Sequence, residues 1–166
     1  YVPLMRSCLA QARDRDARPY VLIHEDGDVP LARDIVDGVD TEIEIVTESD
    51  ARAIKGIIGV ASAVISSRFH GLVNALSQGV PALGTGWSHK YEMLFKDYDC
   101  EDGVIHVPPQ GNGQLNEQLS VLFDGVSRDI LAARLCAAAQ RQQQMIENMW
   151  AEVFSVLSQE SATNEH

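Results

Sequence analysis

Three residues in one apolar stretch of this 166-residue sequence can do chemistry together: Arg68, His70 and Lys90. Between Gly56 and Phe95 the only strong cations are Arg68 and Lys90, and the only acid is Glu92. A guanidinium offers a planar two-pronged donor to a carboxylate or phosphate, and an imidazole near neutrality can donate a hydrogen bond or a proton. Lys90 adds a third positive charge. The set suits a small polyanion. The alternative is structural: Arg68 pairs with Glu92, His70 is a satisfied core histidine, and Lys90 is a solvated helix start. Cations crowded into an apolar stretch weigh toward a ligand, because a buried unpaired charge is costly.

The elements that position these residues alternate. Residues 2–15 read as a helix stopped by Arg18-Pro19, and the nearly all-apolar run Tyr20-Val21-Leu22-Ile23 as a central strand. A helix over 30–36 leads to a strand over 42–46, where Ile43, Ile45 and Val46 are offset by acids. Thr47-Glu48-Ser49-Asp50 resembles a capping box that opens a helix to about Val60. Ala63-Val64-Ile65 is a third strand running into Ser66-Ser67-Arg68-Phe69-His70-Gly71, and the helix behind it stops at Gly79. Val80 to Gly84 is a fourth strand, residues 90–98 a helix, 103–107 a fifth strand, 108–113 a loop and 114–123 a helix. A long helix over 127–157 carries Leu131, Leu135, Ala138, Met145, Met149, Trp150, Phe154 and Leu157 at a period that gives it one protein-facing stripe.

Strand and helix in alternation imply an α/β domain, a Rossmann-like parallel sheet with helices on both faces, over residues 1–157, with 158–166 as a disordered tail. Ligands in such sheets bind beyond the carboxyl ends of the strands. Arg68 and His70 fall at the exit of the third strand and the entrance of a helix, where backbone N–H groups and the helix dipole favour an anion. At the exit of the first strand, His24, Glu25, Asp26 and Asp28 could bind sugar hydroxyls or supply a general base; the plainer reading is a polar loop with Asp28 capping the next helix. His89 is a surface residue or reaches the same cleft, Trp87 stacks on a sugar or packs, and His106 is structural.

Composition narrows the class. The net charge of -11, from 24 acids against 13 Lys and Arg, argues against a nucleic-acid partner. No apolar run approaches the length of a membrane helix, and there is no leader-like start. Three widely spaced cysteines, Cys8, Cys100 and Cys136, point to neither a disulfide framework nor a zinc site and fit a reducing cytoplasm.

Ile65-Ser66-Ser67-Arg68-Phe69-His70-Gly71, the Gly79-Val80-Pro81 turn and Trp87-Ser88-His89-Lys90-Tyr91 resemble polysaccharide pyruvyl transferases. The similarity is strongest over 47–95, and the element order resembles the C-terminal half of that family's two-domain, glycosyltransferase-B-like fold. The resemblance implies transfer of a pyruvyl group from phosphoenolpyruvate to paired sugar hydroxyls, giving a ketal and phosphate, with no metal or redox cofactor. It implies that Arg68, Lys90, Ser67, His89 and His24 bind substrate and that His70, with Arg68, is catalytic. It further implies a glycan or lipid-linked sugar acceptor, a cytoplasmic location that extends to the inner face of the membrane, and a missing N-terminal domain. Ser62 stands where an acid is common in the family, which touches a structural contact more than the chemistry. Two rival readings are the donor domain of a nucleotide-sugar glycosyltransferase and a non-catalytic glycan-related binding domain. Against the first, Lys90-Tyr91 stands where a diphosphate-binding loop usually has glycines.

Overall fold

The structure, a computed structural model, describes residues 1–40, 42–86, 88–106 and 112–163. Trp87 and most of the 108–113 loop lie outside the described residues. Every described strand pairs in parallel. β1 (Tyr20–Ile23) pairs with β2 (Glu44–Thr47), and β3 (Val64–Ser66) with β4 (Ala82–Thr85), which pairs in turn with β5 (Val104–Ile105). The single continuous sheet expected from the sequence is therefore two small sheets, because β1 and β3 share no ladder.

The helices are α1 (Val2–Arg13), α2 (Val29–Asp37), α3 (Ala51–Gly59), α4 (Phe69–Leu76), α5 (His89–Asp97), α6 (Asn112–Phe123) and α7 (Gly125–Thr163). Their starts follow local chemistry. The Asp50 carboxylate accepts from the backbone N–H groups of Arg52 and Ala53 and so caps α3, while Glu48 turns back on the N–H groups of Ser49 and Asp50. Gly79 ends the α4 turn at φ +73°, a left-handed conformation that an L side chain resists, and an added Cβ would lie 2.3 Å from Cys136 Sγ.

The core is layered by the two-residue period of the strands. Val64, Ala82 and Val104 point to one face, into a cluster with Leu72, Leu76, Phe95 and Leu135. Ile65, Leu83 and Ile105 point to the other, among Cys8, Leu119 and Leu122. The split sheet keeps this layering. Val21 packs into a third cluster with Leu9, Ile35 and Ile43, and Leu22 packs against the cluster that also takes Val64. Helices thus cover both faces, as a Rossmann-like layer requires.

The long helix departs from expectation. Leu135 and Ala138 are buried, but Met145, Met149, Trp150 and Phe154 are exposed, and α7 runs on as helix to Thr163. Its stripe meets protein only in its first half. α7 leaves the body where Arg141 pairs with Asp99 and Gln142 donates to the Asp97 carbonyl at 2.9 Å.

Burial separates the thiols. Desolvation pushes Cys8 up to about 11 and Cys100 up to about 12, while Cys136 is exposed. The native protein should react with a thiol reagent at Cys136 alone and at all three cysteines after unfolding. Because the folded state raises both values above the ordinary thiol value of 9.0, the stabilisation from neutral thiols is complete below about pH 9 and is lost as pH rises toward 11 to 12. Melting temperature should fall across that window, less steeply in a Cys8→Ala/Cys100→Ala variant.

Candidate functional site

β3 ends at Ser66, and the next turn is closed by its own side chain: Ser66 Oγ accepts from the Arg68 backbone N–H at 3.0 Å. Tyr91, buried on α5, donates from its hydroxyl to the Ser67 carbonyl at 2.8 Å and ties the same turn to the neighbouring helix. Gly86 makes room for it, since a Cβ there would sit 2.4 Å from the Tyr91 ring. Ser67 Oγ bonds the Tyr1 hydroxyl at 3.1 Å. Arg68 is thereby held at the N-cap of α4 without capping it, with its side chain free to reach outward.

It reaches across to β1. The Arg68 guanidinium makes a two-oxygen hydrogen-bonded pair with Asp28 and stands 3.6 Å from Glu25 Oε2. Its pKa is raised, first by the hydrogen bond it donates to Asp28 and then, against a lowering by desolvation, by the charges of Asp28 and Glu25. Glu92, the partner considered from sequence, instead pairs with His89 Nδ1 at 3.0 Å on the exposed side of α5. Asp28 stands at the N-cap position of α2 but makes no cap bond there, so its carboxylate serves Arg68 rather than the helix.

Between β1 and β3 lies a cleft of about 1360 Å³. Its walls are the residues of both strands. At the carboxyl ends of those strands it is lined by His24, Glu25, Asp28, Ser67, Arg68 and His70. His70 is exposed on the first turn of α4, which removes the core-histidine reading. His24 is half-buried at the exit of β1.

The structure gathers four of the six expected site residues, His24, Ser67, Arg68 and His70. Lys90 and His89 do not line the cleft. Lys90 Nζ lies 4.8 Å from the centre of the Phe69 ring and 5.4 Å from that of Tyr91, a cation–π seat one residue from Arg68 in sequence terms but turned to the aromatic cluster. At rest, the mouth of the cleft therefore holds one guanidinium and two carboxylates. Sequence reasoning noted Glu25 and Asp28 for sugar hydroxyls and not as partners of Arg68, and gave Tyr91 no role; no short-range pattern encodes either contact. Among the described residues no group of three or more His, Cys, Asp or Glu is placed to hold a metal ion.

The arrangement can exchange one anion for another. Arg68 is about half exposed, and an ion pair of that exposure is worth about 0–1 kcal/mol, so a dianion carrying more charge than Asp28 can displace it. Asp28→Asn should free the guanidinium and tighten binding of inorganic phosphate by up to about fivefold, read by calorimetry well below the melting temperature.

Three comparisons bear on identity. A search of curated proteins and a search of solved structures each returned no match. A family model described as polysaccharide pyruvyl transferase matches residues 6–89, which carry β1 to β4, both walls of the cleft, and Arg68 and His70. That is just over half of the 166 residues, and the chain belongs to the polysaccharide pyruvyl transferase family.

Proposed function

We propose that this chain is the donor-binding part of a pyruvyl transferase that moves the pyruvyl group of phosphoenolpyruvate onto two hydroxyls of a glycan or lipid-linked sugar. The observation that carries this reading is the placement of Arg68, at the N-cap of α4, and His70, on its first turn, together in the lining of the cleft. Phosphoenolpyruvate bears a carboxylate and a phosphate on a three-carbon frame. Arg68 takes one of these groups, with the N–H groups at the head of α4 as further donors. In doing so it leaves Asp28 and Glu25.

His70, as imidazolium, donates its proton to the methylene carbon, which becomes the methyl group, and positive charge develops at the carbon bearing the phosphate. A sugar hydroxyl attacks that carbon, and its proton passes to Asp28 or Glu25, now released from Arg68. The carbon–oxygen bond to phosphate then breaks, a second hydroxyl closes the ketal, and phosphate leaves with the balancing proton. Fixed donors around the departing anion lower the barrier because they need no reorientation. The carbon–oxygen chemistry is complete with these groups. The same reading makes the fold the donor half of a glycosyltransferase-B-like enzyme acting on the cytoplasmic side. None of the described helices is long and apolar enough to cross a membrane.

Calorimetry with phosphoenolpyruvate, an Arg68→Ala variant and a nucleotide-diphosphate sugar as control ligand tests the donor. Binding of phosphoenolpyruvate that disappears in the variant is expected; binding of the nucleotide sugar alone would overturn the proposal. His70→Asn separates binding from chemistry. It should keep donor affinity within about threefold while pyruvyl transfer falls by a factor on the order of 10² to 10⁴, measured as phosphate release with acceptor present.

A further inference from the structure

Among the described residues, three buried side-chain polar atoms have no hydrogen-bond partner: Arg6 Nε, Thr85 Oγ1 and Ser88 Oγ. Arg6 belongs to a guanidinium already bonded to Asp34 through its Nη2, at 3.0 Å, and Ser88 lies outside the cleft lining. Thr85 lies within it. Only 3% exposed, it ends β4 in the wall of the same cleft that holds Arg68 and His70. Successive side chains of a strand alternate between faces, so Thr85 shares the face of Leu83, two residues back, which packs with Ile65 and Cys8 on the α1 side. That is the side on which α1 contributes Tyr1, Met5 and Cys8 to the cleft. The parallel register pairs Ser66 with Gly84, so Thr85 comes one step beyond the last rung, level with Ser67 and the start of the Arg68 turn. Ser67 turns its own hydroxyl to the same side, where it bonds the Tyr1 hydroxyl. A hydroxyl withdrawn from water and given nothing to bond is costly, and a Val of the same shape would avoid that cost. Such a group in the wall of a cleft marks a place kept for a ligand atom.

We propose that the Thr85 hydroxyl binds the carboxylate of phosphoenolpyruvate, which fixes the donor with its carboxylate inward and its phosphate outward on Arg68. The inference rests on the donor reading above and adds the orientation that Arg68 alone leaves open. Charge decides between the two orientations. The carboxylate is a monoanion and the phosphate close to a dianion, so the carboxylate costs less to take out of water. A neutral hydroxyl suits the smaller charge. The guanidinium, whose side chain is 47% exposed at the mouth, suits the larger one. It is also held by Asp28, a carboxylate, which a phosphate outbids on charge and a second carboxylate does not. The reverse orientation would press a dianion against a single uncharged donor and leave Arg68 with no gain over the partner it already has. With the carboxylate inward, the departing phosphate faces solvent. The two anchors come from the exits of β3 and β4, hydrogen-bonded neighbours about 4.8 Å apart, a spacing that a three-carbon frame with an anionic group at each end spans.

Calorimetry with three ligands reads the orientation: phosphoenolpyruvate, vinyl phosphate, which lacks only the carboxylate, and inorganic phosphate. Thr85→Val should weaken phosphoenolpyruvate by roughly tenfold, the loss of one hydrogen bond to a charged group, and leave the other two ligands unchanged. Thr85→Ser keeps the hydroxyl and should hold phosphoenolpyruvate within about threefold of the wild type. Without ligand, the melting temperature of Thr85→Val should not fall, since the hydroxyl bonds nothing in the free protein. Equal weakening of all three ligands by Thr85→Val would overturn the orientation, because the loss would then fall on the phosphate. Equal loss in Thr85→Ser and Thr85→Val would overturn it too, because the hydroxyl would not be the group that binds. Phosphoenolpyruvate affinity unchanged in Thr85→Val but abolished in Arg68→Ala would overturn this inference and leave the donor reading standing. A wild type that binds no phosphoenolpyruvate would remove the donor reading and the orientation with it.

Discussion

The ion pair between Arg68 and the carboxylates of Asp28 and Glu25 is the constraint on which the site depends. β1 and β3 make no ladder, so no backbone hydrogen bonds between strands hold the two small sheets together at that seam. Arg68 comes from the exit of β3, Asp28 and Glu25 from the exit of β1, and their contact spans the mouth of the cleft. Charge attraction at a half-exposed position is weak in water, and that weakness is useful. A site that had to break a buried, desolvated pair before admitting its ligand would start from a deficit of several kcal/mol.

The rest of the architecture lets a weak contact be well placed. Helices cover both sheets from both faces, and the strands distribute their side chains alternately between the two layers, so the exits of β1, β3 and β4 emerge along one edge. There the buried Tyr91 holds the Ser67 carbonyl and Ser66 closes the turn, so the backbone beneath Arg68 and His70 is fixed while their side chains stay open to ligand. Function sits on the exposed side of a turn whose inner side is rigid. Lys90, on the same helix as Tyr91, has its charge spread over two aromatic rings rather than delivered to the cleft.

α7 joins the body to whatever lies beyond it. One amphipathic pattern runs the length of the helix, yet its first half is core and its second half is surface. Periodicity says which side of a helix is apolar. It does not say where the protein beneath that side ends.

The sequence by itself determined the alternation of strands and helices, the parallel pairing, the start of α3, the Gly79 stop and the assignment of Arg68 and His70 to the head of α4, because each is written in contiguous residues: short apolar runs, polar cap residues, a left-handed glycine; the capping box read over Thr47 to Asp50 forms instead as a cap by Asp50 itself. The family motif was legible for the same reason. Tertiary structure alone decided that Asp28, forty residues away, takes Arg68 and abandons its helix, that Glu92 turns to His89, that Lys90 seats on Phe69, and that the sheet parts between β1 and β3. Charge partners are chosen by proximity in space, and a long side chain carries no mark in the sequence of which of several acids it will reach.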